Sequence, residues 1–109
     1  MTVKLPKAIE TYFKADRTGS PDAVAAAFTE NGFVKDKGKT HRGRDAIRAW
    51  IADETQQYIY TVEPFLITTE NGKTQVTAHA AGEFPGSPID LRFFFVLASD
   101  KVAELEISV

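Results

Sequence analysis

Asp36 is a single carboxylate in the stretch FVKDKGKTHRG, residues 33–43, flanked by Lys35, Lys37, Lys39 and His41. If FVKDK is a strand, Val34 and Asp36 share one face while Lys35 and Lys37 take the other. Lysine ammoniums stay in water, which sends Asp36 inward with Val34. A carboxylic acid desolvated in an apolar cavity holds its proton more tightly, which suits it to acid or base work near neutrality. The competing reading is a turn over Asp36-Lys37-Gly38-Lys39, in which the carboxylate bonds its own backbone. Tyr12 weighs toward the first reading. It falls on an apolar helical stripe, and a buried tyrosine either finds a hydrogen-bond partner or offers its hydroxyl to a polar spot in a cavity.

Those two residues have to be positioned by ordinary elements. Leu5, Ala8, Ile9, Tyr12 and Phe13 follow the helical spacing and predict a first amphipathic helix that ends near RTGS. Ser20 reads as an N-cap, with Pro21 at the first helical position and Asp22 in the first turn. The second helix is expected to run through Val24, Ala27 and Phe28 and to stop by Asn31-Gly32. FVKD and KTHR read as short strands around Lys37-Gly38. A third helix is expected from about Gly43 to Gln57, with Ala46, Ile47, Trp50 and Ile51 inside. After residue 57 the texture changes to strands: YIYTVEPFLITTE, KTQVTAHAAGEF, IDLRFFFVLA and KVAELEISV. Asn71-Gly72 is a hairpin signal, FPGSP a loop, and Ser99-Asp100 a turn. Helices first and an antiparallel meander after them predict an α+β fold, with the helices packed on one sheet face.

Composition narrows the function classes. The chain has 109 residues, enough for one domain spanning 1–109 around one core. A net charge of −2 disfavours a surface built to neutralise nucleic-acid phosphates. There is no cysteine, so thiolate chemistry, disulfides and cysteine-ligated zinc are excluded. The two histidines, His41 and His79, make no HxH or HxxxH pair, and no metal or other cofactor is implied. The N-terminal stretch acquires charge too early for a signal peptide, and no apolar run reaches membrane-spanning length. A soluble cytoplasmic protein without a membrane partner is the expectation.

AIETYFKA, DAVAAAFTENGFVKDKG, RGRDAIRAW, YTVEP, GEFPGSPIDLRF and KVAELEI, taken in order, resemble the SnoaL-like (polyketide-cyclase-like) branch of the nuclear-transport-factor-2-like superfamily. The resemblance implies a cone: three N-terminal helices on a strongly curved, mostly antiparallel sheet enclosing a pocket, commonly as a homodimer through the outer sheet face. It does not fix a chemistry, because the fold hosts isomerases, cyclases, dehydratases, hydrolases and non-catalytic proteins. A more distant similarity to ketosteroid isomerase is specific to two residues. The interval from Tyr12 to Asp36 aligns without a gap to that enzyme's oxyanion tyrosine and base aspartate. By this resemblance Asp36 abstracts a proton beside a carbonyl, and Tyr12 hydrogen-bonds the developing enolate oxygen.

Strand parity removes other candidates. Leu91, Phe93, Phe95 and Leu97 form the apolar set of their strand, which puts Asp90 and Arg92 on the opposite face as an outer ion pair. The Pro88-Ile89-Asp90 match to the isomerase's third residue therefore fails. His79 lies outside by the same rule, since Val76, Ala78, Ala80, Gly82 and Phe84 are the inner set. Arg44 and Arg48 read as a solvated helix face. Trp50, Phe84, Phe93 and Phe95 are expected to line the pocket, joined by Tyr58 and Tyr60. Small Ala78, Ala80 and Gly82 facing these rings leave two readings open, an interdigitated core or room for a small organic ligand. Two functions follow: cofactor-independent acid–base catalysis by Asp36 with Tyr12, or a non-catalytic ligand-binding or dimeric interaction module.

Overall fold

A computed structural model describes residues 4–18, 20–57 and 59–109, without the side chains of 55–57. The elements are α1 (Lys7–Thr18), α2 (Pro21–Ala26), β1 (Phe28–Asp36), β2 (Lys39–Arg42), α3 (Arg44–Gln57), β3 (Tyr60–Glu70), β4 (Lys73–Gly82), β5 (Ile89–Ala98) and β6 (Lys101–Ser108). The six strands form one curved sheet in the order β2-β1-β6-β5-β4-β3. All neighbours are antiparallel except β1 and β6, which run parallel. The α+β expectation holds, with one correction: β1 and β2 intervene before α3, so the helices are not all N-terminal.

Local chemistry accounts for most boundaries. Ser20 caps α2, its hydroxyl accepting from the Ala23 amide at 3.2 Å, and Pro21 takes the first helical position. Asn71 and Gly72 both have positive φ, the geometry of a two-residue hairpin between β3 and β4. Pro64 is tolerated inside β3 because that strand is a sheet edge and bulges between Pro64 and Leu66. Further bulges fall between Phe28 and Phe33 against β6, and between Val96 and Leu97, where they bend the strands.

The second helix stops at Ala26, short of the expected Phe28. Phe28 instead opens β1, pairing with Val102, whose amide donates to the Ala27 carbonyl at 2.9 Å. Pairing with a distant strand overrides the helical spacing of Val24, Ala27 and Phe28. Gly32 therefore marks a bulge and not a turn. A Cβ there would stand 3.1 Å from the Val102 carbonyl oxygen, a tight contact that would push β6 away by a few tenths of an ångström, so the close approach of β6 favours glycine.

The core lies between the helices and the inner sheet face. Tyr12 and Phe13 of α1 meet Phe93 and Phe95 of β5 edge-on, with ring centroids 5.1 Å apart for Phe13–Phe93 and 5.7 Å for Tyr12–Phe95. Ile47 and Ile51 of α3 and Val34, Val76 and Leu105 of the sheet are also buried.

Candidate functional site

A cavity of about 370 Å³ lies at one end of this core, within the range of small-molecule sites. Tyr12, Asp36, Trp50, Tyr60, Phe84 and Phe93 all line it. Phe95 does not. It is fully enclosed among Tyr12, Phe13 and Phe93 and stacks on Phe93 at 6.3 Å, so it supports the cavity wall from behind. Tyr58 lies outside the described residues.

Asp36 is the last residue of β1, paired with Lys39 across the hairpin and with Ile107 of β6. Lys37 and Gly38 both have positive φ and make the turn immediately after it. The two readings of this stretch are thus both partly right, because Asp36 is strand and the turn begins one residue later. Its side chain is half-buried beside fully buried Val34, while Lys35 is exposed. Asp36 Oδ2 accepts a hydrogen bond of 3.1 Å from the Trp50 indole Nε1 of α3. That bond orients the carboxylate without supplying a compensating charge. Gly43 positions α3 for it: its φ is positive, and its amide donates to the Gly32 carbonyl at 2.8 Å, just ahead of the helix.

Tyr12 is 1% exposed. Burial, first, and then the charge of Asp16 push its hydroxyl well above the ordinary tyrosine range, so it is a neutral phenol. No buried side-chain polar atom among the described residues lacks a hydrogen-bond partner. No described side chain bonds the Tyr12 hydroxyl, so its oxygen must be the part of the residue that meets the cavity. It is an unspent donor aimed at whatever enters.

Two acids that sequence reasoning passed over also line the cavity, Asp16 of α1 and Glu54 of α3. Burial pushes the Asp16 carboxyl up to about 6; Glu54 adds to the rise and Arg17 opposes it. Glu54 accepts an ion pair from Lys37 Nζ at 2.9 Å. Tyr60 is raised in the same direction as Tyr12, mainly by burial and then by Asp16. The sequence did hold a signal for Asp16, which stands four residues after Tyr12 on the same helical stripe. Tyr60 owes its position to Gly82, where a Cβ would collide with the Ile59 carbonyl oxygen and the Tyr60 Cα.

The opposite sheet face carries the residues that parity sent outward. His79 and Asp90 sit across from each other on β4 and β5, Nδ1 to Oδ1 at 3.0 Å, both more than half exposed. The partner of Asp90 is therefore His79 and not Arg92, whose guanidinium donates to the Val109 carbonyl at 3.2 Å. Cross-strand register places His79 beside Asp90, whereas Arg92 is a neighbour only along the chain. Arg48 bonds Asp22 and Asp45 on the helix surface, and Arg44 donates to the Phe28 carbonyl at 2.9 Å. No group of acids and histidines among the described residues is arranged to hold a metal ion.

The sequence pattern of the SnoaL-like domain matches residues 9–105, nearly the whole chain. The chain belongs to the SnoaL-like domain family. Among solved structures it is similar to a presumed polyketide cyclase from Sinorhizobium meliloti, with 35% identity over 95% of each chain and a TM-score of 0.89. A ketosteroid isomerase-like protein from Catenulispora acidiphila, solved with trimethylamine, shares the fold at 18% identity and a TM-score of 0.79, over 97% of this chain and 87% of that one. The epoxide hydrolase/cyclase-like enzyme SalBIII of salinomycin pyran-ring formation shares it at 22% identity and a TM-score of 0.75, over 92% and 85%. A search of the curated proteins returned no match. In this SnoaL-like chain no helix among the described residues is long and apolar enough to cross a membrane.

Proposed function

We propose that this SnoaL-like protein binds a small, mostly apolar organic molecule in the cavity and moves a proton on it without a cofactor. Asp36 is the base and Tyr12 the hydrogen-bond donor. The observation that carries the reading is their meeting: a carboxylate from the end of β1 and an unspent phenol from α1 line one cavity walled by Trp50, Phe84 and Phe93. A carboxylate held by the Trp50 N–H and facing apolar walls is placed to take a proton from a carbon beside a carbonyl. The charge that then develops on the carbonyl oxygen is met by the Tyr12 hydroxyl, which stays protonated and donates. Isomerisation, aldol-type cyclisation, dehydration and hydrolysis all use such a pair. The 35% identity to a presumed polyketide cyclase supports this reading.

The same reading includes a cone-shaped domain whose sheet wraps the pocket, and a homodimer through the outer sheet face. Support for the dimer comes from Phe33, Phe94 and Val96, half-buried apolar residues on that face. A non-catalytic binding module of the same fold shares every feature except turnover.

Binding is tested through Trp50, the only tryptophan, whose indole N–H gives one side-chain resonance beside Asp36. Titration with a simple phenol, which mimics an enol oxygen, should move this resonance saturably, and Tyr12→Phe should weaken the binding. An indole signal indifferent to phenols and ketones alike would remove the cavity as a ligand site.

A further inference from the structure

The cavity is unbalanced in charge. Three acids, Asp16, Asp36 and Glu54, line it, and Lys37 is the one cationic side chain among the described residues that do so. The Lys37 ammonium lies on Glu54 at 2.9 Å, which leaves Asp16 and Asp36 without an equivalent cation across the cavity. Tyr12 is almost wholly buried, and its hydroxyl, bonded by no described side chain, opens into the same space. The remaining wall is apolar, aliphatic in part and aromatic at Trp50, Tyr60, Phe84 and Phe93, and aromatic rings attract cations to their faces.

We propose that the cavity selects an apolar molecule carrying a protonated amine, with its ammonium against the Asp16 carboxylate and its body against the aromatic wall. This rests on reading the cavity as a ligand site, and it adds the ligand's charge class to the proton transfer assigned to Asp36. Asp16 has no other evident purpose. It stands on the buried stripe of α1, where an apolar residue would pack at lower cost, and among the described residues no cation pairs with it from α3 or the sheet. An amine supplies that charge, and Tyr12 offers its oxygen as a further acceptor for an N–H. An anionic ligand meets the same acids as repulsion.

The preference depends on pH. The groups that interact with Asp16 are Tyr12 and Arg17 of α1, Glu54 of α3 and Tyr60 of β3, and Asp36 of β1 lines the same cavity. With the Asp16 carboxyl titrating at about 6, ammonium binding strengthens as pH rises through that value.

Three matched probes test this on the intact protein, read through the Trp50 indole resonance: 2-phenylethylammonium, 2-phenylethanol and phenylacetate. At pH 7.5 we expect the ammonium to bind about tenfold more tightly than the alcohol and the carboxylate to bind more weakly than both, in proportion to one well-placed charge in a partly buried site. Lowering the pH to 5 should remove most of the ammonium's advantage. Asp16→Asn should remove it at every pH, so that ammonium and alcohol bind alike, and its thermal melt should show a fold at least as stable as the parent. Equal binding of ammonium and alcohol would overturn the charge preference while leaving the ligand site standing, as would preference for the carboxylate. Failure of all three probes to bind would overturn both.

Discussion

Two carboxylates on this sheet accept hydrogen bonds of nearly equal length from aromatic nitrogens, Asp36 from Trp50 at 3.1 Å and Asp90 from His79 at 3.0 Å. Their surroundings differ. Asp36 closes β1 on the inner face, beside a cavity and a buried phenol, whereas Asp90 is 57% exposed on the outer face. Water screens the outer pair and supplies alternative partners to both members, so the bond contributes little. Inside, the indole N–H fixes the direction of a half-buried carboxylate, for which fewer waters compete. What distinguishes the two is the environment: bond length alone would rank them together, and burial separates them.

Phe95→Ala should cost about 3–5 kcal/mol by urea denaturation, because it opens a void behind the wall that holds Tyr12 and Phe93. Phe65→Ala, on the exposed edge strand, should stay within about 0.5 kcal/mol.

Asp16 comes next. Its carboxyl is raised from 3.8 to about 6 on folding, so the folded state binds its proton more tightly than the unfolded chain does. The stability this contributes is fully present below about pH 4 and is lost as pH rises through about 6. The loss is about 3 kcal/mol at most. Asp16→Asn should flatten that slope and make the protein more stable than its parent at pH 7, measured as the difference between the two stability–pH curves. A parent curve with the same slope as the variant's would remove burial as the cause. Smallest of all, Asp90→Asn should shift stability by no more than about 0.5 kcal/mol, since both members of its pair are more than half exposed.

Much of this was legible where short-range chemistry decides. Ser20-Pro21 marked the start of α2 and Asn71-Gly72 the hairpin between β3 and β4. Alternation on β4 and β5 placed His79 and Asp90 outside and Phe93 inside. Readings failed where a distant element decides. Phe28 kept helical spacing with Val24, yet pairing with Val102 drew it into β1. Phe95 faces inward as its parity required, but α1 packs over it and excludes it from the cavity. The partner of Asp90 followed from register across β4 and β5, which no reading along one strand contains. Asp16 is a different case, since its position on the α1 stripe was visible. An acid at the end of an apolar stripe reads as the helix's solvated end until the facing Glu54 and Tyr60 are known.

Solvent-deuterium exchange at the carbon beside a ketone tests the central claim most directly, followed by NMR on cyclic ketones that move the Trp50 indole resonance. Asp36→Asn and Asp90→Asn are measured in parallel with the parent. We expect the parent and Asp90→Asn to speed exchange equally, and Asp36→Asn to lose about 10²–10⁴ of that rate, the usual contribution of a positioned general base. Exchange by the parent no faster than by Asp36→Asn would contradict the assignment of Asp36 as the base.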